Sequence, residues 1–526
     1  MKKIYLMAAV AMMSAAAYGQ DNVNLDTYMG AQLATEDLNG TARYVGMGGA
    51  LEALGAEIST ISTNPAGIGM FRKSQVAGSM GLIIQEEGKN FQDGSKVNAS
   101  FDQLGVVIAM RTGVQSYINF GFNYHKSRNF DYVLSAAGAA LNGSSQNRQT
   151  IIKGRLGLLN AKNSWYESQV DNLLLESGML DNGKDAEGNK QYGYIDSKNY
   201  EFDRAHTGYI GEYDINISGN INDRVYLGAT LGIKDVRYYA YSEYFEVLNP
   251  QTPGKATSAL MYDDHRITGT GFDIKFGTVI RPIEESPFRF GLYVHTPTWY
   301  SLRSKNNTRL GNVQEIAYNV RFRFNTPWKF GVSLGHIIDN QFALGLTYEY
   351  ADYTSNDMRS ITDRYYDWDN YYHENSSSDQ EMKRNANDVL RGVHTLKLGA
   401  EMRADKMLSI RVGYNYVSPM YQTSGVRDQT LNSPGVYMAS TTDYTNWYDT
   451  HRLTAGVGFT FDNLRLDLAY QYSMRKGDFY PYMSRLGVGE TTKSDGTKLP
   501  AVTNECSAVS VKDNRHQLLF TANYTF

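Results

Sequence analysis

Residues 452–473 read RLTAGVGFTFDNLRLDLAYQYS, and this stretch decides the fold class. Apolar side chains stand at every second position from Leu453 to Phe461, and the alternation resumes from Leu466 to Tyr472. A period of two places one face of a strand against an apolar environment and the other face against a polar one. Two such strands joined by a short turn are typical of a hairpin in a transmembrane β-barrel.

The same pattern recurs along the chain. Alternating runs of similar length fall at 75–86, 101–112, 116–127, 213–220, 224–234, 271–281, 288–296, 318–338, 341–350, 394–403, 409–417 and 514–526. With the two runs above, the count is about fourteen. The connections alternate between short turns and long segments. The long segments, predicted to be loops, include 240–266 and 299–317, and the largest is 131–206. Short periplasmic turns, long external loops and an even strand count are features of outer-membrane barrels.

The predicted fold is therefore all-β, a transmembrane antiparallel β-barrel of about 14 strands formed by residues 74–526. The run at 318–338 keeps its phase through Phe322, Phe324 and Phe330, so we expect one long strand there with Arg321 and Arg323 facing inward. A soluble β-sandwich is the alternative fold, but it gives no reason for the alternation of loop lengths.

Composition agrees with a membrane barrel. The 526 residues include 40 Tyr and 49 Gly, and aromatic rings with a polar tip favour the membrane–water boundary. A net charge of -4 gives no basic field, so we expect no nucleic-acid partner. Cys506 is the single cysteine, which excludes an internal disulfide.

Both ends of the chain carry targeting features. Lys2 and Lys3, the apolar stretch 4–17 and the small residues around Gly19 predict a signal peptide over 1–19. The last strand ends on Phe526 and resembles the signal by which the barrel-assembly machinery recognises its clients. The expected location is the outer membrane of a Gram-negative-type bacterium, with membrane lipids and that machinery as partners.

The inward face of the predicted barrel carries charges of both signs. Residues assigned to it include Asp214, Asp273, Lys275, Lys329, Glu349, Lys397, Glu401, Arg411, Arg465 and Asp467. Unpaired buried charge is costly, so these groups are expected to pair with one another or with a plug. The alternative is an ion-selective pore.

Residues 20–73 do not alternate and are predicted to fold into the lumen as a hatch. A short helix at about 25–38 comes first, followed by TARYVGMGGA at 41–50 and ISTNPAGIG at 61–69. Gly46, Gly48 and Gly49 permit close backbone packing, and their spacing does not match a dinucleotide-binding fingerprint.

The Asn64-Pro65-Ala66-Gly67 element, just before the first strand, resembles the FadL/TodX family of outer-membrane transporters of hydrocarbons and long-chain fatty acids. The strand count and the terminal aromatic residue are similar too. The resemblance implies that an N-terminal hatch plugs a 14-stranded barrel, that apolar ligands enter from outside, and that the hatch rearranges to release them. It gives hatch or gating roles to Asn64, Pro65, Ala66 and Gly67, together with Gly46, Gly48 and Gly49. A tight turn joining hatch to barrel is the alternative role.

The external segment 131–206 has apolar residues at helical spacing, which predicts two amphipathic helices above the barrel. Their apolar faces either pack on neighbouring loops or line an entry groove for a hydrophobic ligand. The candidate groove residues are Ile151, Ile152, Leu156, Leu159, Leu173 and Leu174.

Other clusters suggest weaker chemistry. The acidic, aromatic segment 353–392 could bind calcium or sugars or be a solvated loop, and the Tyr262–His265 cluster could ligate a metal or haem. No catalytic motif is recognisable, so we expect no enzyme, no cofactor and no metal site. The sequence favours a passive, hatch-gated channel for hydrophobic small molecules such as long-chain fatty acids or aromatic hydrocarbons. The alternatives are a docking subunit of a secretion or surface-protein assembly, and hemin uptake.

Overall fold

A computed structural model of the chain describes residues 25–159, 166–177, 180–184, 190–251, 253–311, 314–366, 368, 372–492 and 496–526. The predicted signal peptide, 1–19, lies outside the described residues, as do residues 20–24 of the predicted hatch. The chain forms a large antiparallel sheet of twenty strand segments. Six of its strands are each built from two segments, which gives fourteen strands.

The strands are β1 (Gln75–Gln85), β2 (Val97–Arg111), β3 (Tyr117–Asn129 and Tyr132–Ala139), β4 (Asp196–Ile221), β5 (Val225–Asn249), β6 (Ser258–Ile280), β7 (Arg289–His295 and Trp299–Leu310), β8 (Gln314–Asn325 and Lys329–Ile338), β9 (Phe342–Asp352 and Asp357–Tyr366), β10 (Tyr372–Ser378 and Gly392–Arg403), β11 (Leu408–Val417), β12 (Tyr444–Phe461), β13 (Leu464–Tyr480) and β14 (Val509–Lys512 and Arg515–Thr525). Strand β1 pairs with β14, with Gln75 opposite Thr525 and Gln85 opposite Arg515. This pairing closes the barrel, so the predicted fold class is confirmed.

The outer surface of the barrel is apolar. On β12 and β13, Phe459 and Leu468 are 44% and 48% exposed, whereas Asp467 is 1% exposed. Exposed leucine, isoleucine and phenylalanine side chains also stand at alternate positions of other strands, as at Ile215 and Ile217 of β4. A band of this kind is what a lipid environment requires, and the register predicted for β12 and β13 is confirmed.

Several strands continue well beyond the membrane. Strands β4, β5 and β6 have 26, 25 and 23 residues, whereas a membrane-spanning strand needs roughly 9–11. The prediction of loops at 240–266 and 299–317 is therefore wrong, because much of both ranges is strand. Outside the membrane the outward positions of β5 carry residues such as Arg237, Tyr239 and Tyr241. The apolar alternation therefore stops at the membrane boundary, although the strand continues beyond it.

The prediction of one uninterrupted strand over 318–338 is also wrong. The strand breaks at residues 326–328, where Pro327 cannot donate a backbone hydrogen bond. The break inverts the faces: Phe322 and Phe324 are buried inside, while Phe330 is 53% exposed. Arg321 and Arg323 consequently point outward, where both form ion pairs with Glu374, and they do not line the lumen.

The N-terminal segment contains α1 (Thr27–Ala34), α2 (Ala42–Gly46) and two 3₁₀ turns, Ile58–Ser62 and Pro65–Met70. Asp26 caps α1 by accepting hydrogen bonds from the amides of Tyr28 and Met29. The external part contains α3 (Gln146–Arg155), α4 (Gln169–Ser177), α5 (Gln380–Val389) and α6 (Pro434–Tyr437). Within the described ranges, no helix is both long and apolar enough to cross a membrane.

Candidate functional site in the barrel lumen

The N-terminal segment contacts all fourteen strands through a ring of mostly small residues. One member of the ring lies on each strand, in chain order: Ala77, Gly105, Gly121, Gly219, Gly228, Gly277, Gly291, Gly335, Gly345, Gly399, Gly413, Gly456, Ala469 and Thr521. Across β8 to β11, Gly335, Gly345, Gly399 and Gly413 are direct cross-strand partners. Residues 41–71 therefore lie inside the barrel, at a level where the wall has almost no side chains.

The Asn64–Gly67 element is wedged against this wall. Asn64 is fully buried; its side-chain oxygen accepts from the amide of Ala66, and its amide group donates to the carbonyl of Thr278 at 3.3 Å. A Cβ atom at Gly228 would collide with the backbone of Pro65, and one at Gly67 would collide with the side chain of Thr60. These residues anchor the segment to β5 and β6.

The other predicted hatch residues meet the opposite wall. Gly48 adopts φ 62°, and a Cβ atom there would lie 2.8 Å from the amide nitrogen of Tyr414. Gly46 packs against Gly456, and Gly49, at φ 80°, packs against Leu38. A larger residue at Gly48 would meet both a strained backbone conformation and the barrel wall.

Ion pairs join the segment to the wall. Glu52 accepts from Lys397 at 2.9 Å and from the hydroxyl of Thr347 at 2.8 Å. Arg43 makes two hydrogen bonds of 3.1 Å to Glu401. Lys397 and Glu401, which were predicted to lie on the inward face, thus form ion pairs with the N-terminal segment inside the lumen.

An external cavity opens on the long-loop side of α1. It encloses about 990 Å³, including the solvent space into which it opens. The rings lining it are Tyr28, Phe130, Tyr132, His206, Tyr238, His265, Tyr421, Tyr444 and Trp447, and the guanidinium groups lining it belong to Arg128, Arg204, Arg427, Arg475 and Arg515. We call it the outer cavity.

Three inner cavities lie on the other side of α1. Each is bordered by Thr35 and Glu36, and Thr35 also borders the outer cavity. Residues 35–39, which connect α1 to α2 and which we call the linker, therefore separate the cavities. Glu36 bonds to Lys234 at 3.0 Å and to Lys329, and Asp37 bonds to Arg128 at 2.7 Å. The linker is thereby held to strands on different sides of the lumen.

No protein-family model matches this chain, and no curated protein matches it. Among solved structures, the toluene transporter TbuX of Ralstonia pickettii matches with 10% identity and a TM-score of 0.47, over 93% of this chain and 99% of that one. A FadL homologue of Pseudomonas aeruginosa matches with 13% identity and a TM-score of 0.49, over 94% and 100%. The monoaromatic hydrocarbon channel CymD matches with 11% identity and a TM-score of 0.48, over 94% and 99%. The assignment of the fold rests on the strand pairings given above and not on these matches.

The six candidate groove residues do not form one surface. Ile151, Leu173 and Leu174 lie in a buried cluster with Tyr132 and Phe479. Ile152 belongs to a different cluster with Met483, Leu486 and Val502, and Leu159 is 5% exposed. Leu156 is 43% exposed. The two helices thus pack their apolar faces on their neighbours, which is the first of the two arrangements that the sequence left open.

Two members of the Tyr262–His265 cluster, Asp263 and His265, line the outer cavity beyond the membrane. Burial raises the pKa of Asp263 to about 6 and lowers the pKa of His265 to about 4. His265 is therefore neutral near pH 7, and its Nε2 lies 2.9 Å from the hydroxyl of Ser304. Among the residues that the structure describes, no group of three His, Cys, Asp or Glu side chains could hold a metal ion.

The sequence did not reveal the linker or the arginines of the outer cavity. Four of these arginines come from the extended upper parts of β3, β4 and β13 and from the loop before β12, which have no apolar alternation. Arg515 is the first residue of its β14 segment, ahead of the alternation that begins at Leu518. The ring could have been predicted from the sequence, because most strands have a glycine on the inward face close to the end that leads into a short turn.

Proposed function

We propose that this chain is a passive outer-membrane channel for small hydrophobic molecules, such as long-chain fatty acids or aromatic hydrocarbons, gated by its N-terminal segment. The observation that carries the proposal is the ring, because a segment in contact with every strand blocks an aqueous path through the lumen. Cavities on both sides of the linker offer a ligand successive places to bind. A toluene ligand, as named for TbuX, would be of this kind.

The linker is the part that we propose moves. Residues 41–71 are packed against the wall at backbone distance, whereas the linker is held mainly by the side chains of Glu36, Asp37 and Asn39. Hydrogen bonds to charged groups contribute only about 1.5–3 kcal/mol each, so a ligand that replaces one or two of them can displace the linker. In this scheme Asn64, Pro65, Ala66 and Gly67 anchor the hatch against which the linker moves.

Uptake tests this proposal. In Gram-negative cells without a channel of their own, this protein should raise the uptake of labelled oleate or naphthalene above that of cells lacking it. Replacing Glu36 and Lys329 with cysteines and joining them with a short bifunctional thiol reagent should stop the uptake. A matched pair, Thr395→Cys with Val417→Cys, joins two directly paired wall residues that line the same inner cavity and should leave uptake unchanged.

Two results would contradict the proposal. Uptake no higher than that of cells lacking the protein would favour the docking alternative. Uptake that persists in the Glu36–Lys329 cross-linked protein would mean that the ligand passes without linker movement. Asn64→Ala adds a further distinction: unchanged uptake agrees with an anchoring role, and abolished uptake in a correctly inserted barrel assigns the gate to Asn64.

A further inference from the structure

Nine aromatic or imidazole rings line the outer cavity. Tyr28 stacks on Tyr421 with ring centroids 5.1 Å apart, and it also meets Tyr444 at 5.2 Å. Across the cavity, Tyr132 lies 6.0 Å from both Trp447 and His206. Flat rings of this kind favour a planar partner that can stack, and they provide less of the flexible aliphatic lining that suits an alkyl chain.

The floor of the outer cavity is formed by guanidinium groups. Arg475 lies 4.1 Å from the ring of Trp447, and Arg515 lies 5.3 Å from the ring of Tyr132. Together with Arg128 they border both the outer cavity and the inner cavity beneath it, which is also bordered by Arg452. We call these four residues the arginine cluster.

The arginine cluster carries more positive charge than its neighbours balance. Asp37 pairs with Arg128, and Asp513 accepts from both Arg475 and Arg515 at 2.6 Å. Arg452 is only 9% exposed, and its guanidinium donates to the side-chain oxygen of Asn415 at 2.8 Å. Within ion-pairing distance, four guanidinium groups thus share two carboxylates. Asp131 also interacts with Arg515, but its carboxylate accepts from the backbone amide of Gly208. Excess buried positive charge is costly unless an anion joins it.

The remaining charges around the two cavities are matched separately. Arg204 pairs with Asp443 and Arg427 with Asp26, while Glu36 is held by two lysines. Asp263 accepts a hydrogen bond from the hydroxyl of Thr308 at 2.9 Å. The excess charge is therefore localised at the arginine cluster, directly below the aromatic wall.

We propose that the outer cavity binds an aromatic carboxylate, with its rings between the aromatic side chains and its carboxylate on the arginine cluster. A carboxylate accepts two parallel hydrogen bonds from one guanidinium, and an aromatic acid presents this group in the plane of its ring. The bound carboxylate competes with Asp37 for Arg128 and so loosens one of the contacts that hold the linker. This last step rests on the proposed channel function, whereas binding itself does not.

Equilibrium dialysis of the detergent-purified barrel tests the proposal with 2-naphthoate. The comparison compounds are 2-naphthalenemethanol, which keeps the rings but has no charge, and laurate, which keeps the carboxylate on an alkyl chain. Naphthoate should bind about tenfold more tightly than either. Arg128→Gln with Arg452→Gln should weaken naphthoate binding by about tenfold and leave naphthalenemethanol binding unchanged.

Two further variants separate binding from general disruption. Asp37→Asn removes the competing carboxylate and should tighten naphthoate binding. Arg465→Gln is the matched control, because this luminal arginine pairs with Glu401 and Asp467 away from the outer cavity, and it should leave naphthoate binding unchanged.

Equal affinities for naphthoate and naphthalenemethanol would overturn the anion site, and tighter binding of laurate would overturn the aromatic assignment. Naphthoate affinity that is insensitive to the double arginine variant would also overturn the proposal. Failure of the proposed channel function is seen separately, as absence of uptake while naphthoate binding persists.

Discussion

At the scale of single residues, two neighbours on β13 meet opposite environments. Leu468 is 48% exposed on the lipid face, and Asp467 is 1% exposed in the lumen. The carboxylate of Asp467 lies 2.9 Å from the guanidinium of Arg411 and 3.1 Å from that of Arg465. Alternation in the sequence was enough to predict which face each side chain takes, but it could not identify these partners, because the partner Arg411 is 56 positions away.

We expect both residues to be sensitive to substitution, for different reasons. Leu468→Arg places a charge in the bilayer and should destabilise the barrel by about 2–4 kcal/mol. Asp467→Asn leaves Arg411, which is fully buried, with less compensation and should cost about 3 kcal/mol. Urea titrations of folding in liposomes measure both costs, with Leu468→Met as the control. A negligible cost for Asp467→Asn would show that Glu401 alone compensates Arg411.

Glu246 lies near the external end of β5, beyond the membrane. None of the described groups that shift its pKa is a cation. It accepts from the hydroxyl of Tyr244 at 2.6 Å and from the amide of Gln146, the first residue of α3, at 2.8 Å. Burial raises its pKa from the ordinary 4.5 to about 7. The folded state therefore binds a proton more tightly than the unfolded state, so the resulting stabilisation is complete below pH 4.5 and is lost as the pH rises through 7.

Glu246→Gln should remove this pH dependence. At pH 9 the variant should be more stable than the parent by roughly 3 kcal/mol, and at pH 4 the two should be alike. Thermal unfolding across this pH range measures the difference. Glu243→Gln, on the neighbouring outward face of β5, is the control. Parallel pH curves for Glu246→Gln and the parent would refute the assignment.

At the scale of elements, the strands illustrate what a sequence pattern can and cannot reveal. Within the bilayer, lipid imposes the alternation, so all fourteen strands could be found. Above it, water surrounds the outward face of β5 at Arg237 and Tyr239, and the pattern ends although the strand continues. The face inversion at Pro327 was missed because Phe322 and Phe330 lie an even number of positions apart, which in an unbroken strand would place them on the same face. The break at 326–328 places them on opposite faces.

The ring makes a second prediction at this scale. Gly228→Val or Gly345→Val would press a side chain into the backbone of Pro65 or Ala50, so the N-terminal segment should be displaced while the barrel still inserts. Planar-bilayer recordings should then show increased conductance. Gly78→Val is the matched control, because a Cβ atom there has only an ordinary 3.7 Å contact with Leu104. Unchanged conductance in both ring variants would mean that the segment adapts without opening a path.

At the scale of the whole molecule, the barrel and its N-terminal segment form one packed unit. The sequence predicted a barrel with an internal segment, since residues 20–73 precede the first strand and lack its alternation. The outer cavity could not be predicted, because Tyr28, Tyr132, Tyr421 and Trp447 are distant in sequence and meet only when the barrel closes. The linker could not be predicted either, because it is defined by the cavities that it separates, and these form only in the folded barrel.

Single-channel recording of the intact and truncated proteins tests the central claim most directly, that the N-terminal segment closes the channel. The intact barrel should be nearly closed to small ions. Deletion of residues 21–60 should leave a barrel that inserts and conducts, because water would then fill the polar lumen. Shortening the exposed turn between β5 and β6 controls for the loss of residues as such and should leave the channel closed. Equal conductance of the intact and the truncated protein would contradict the account.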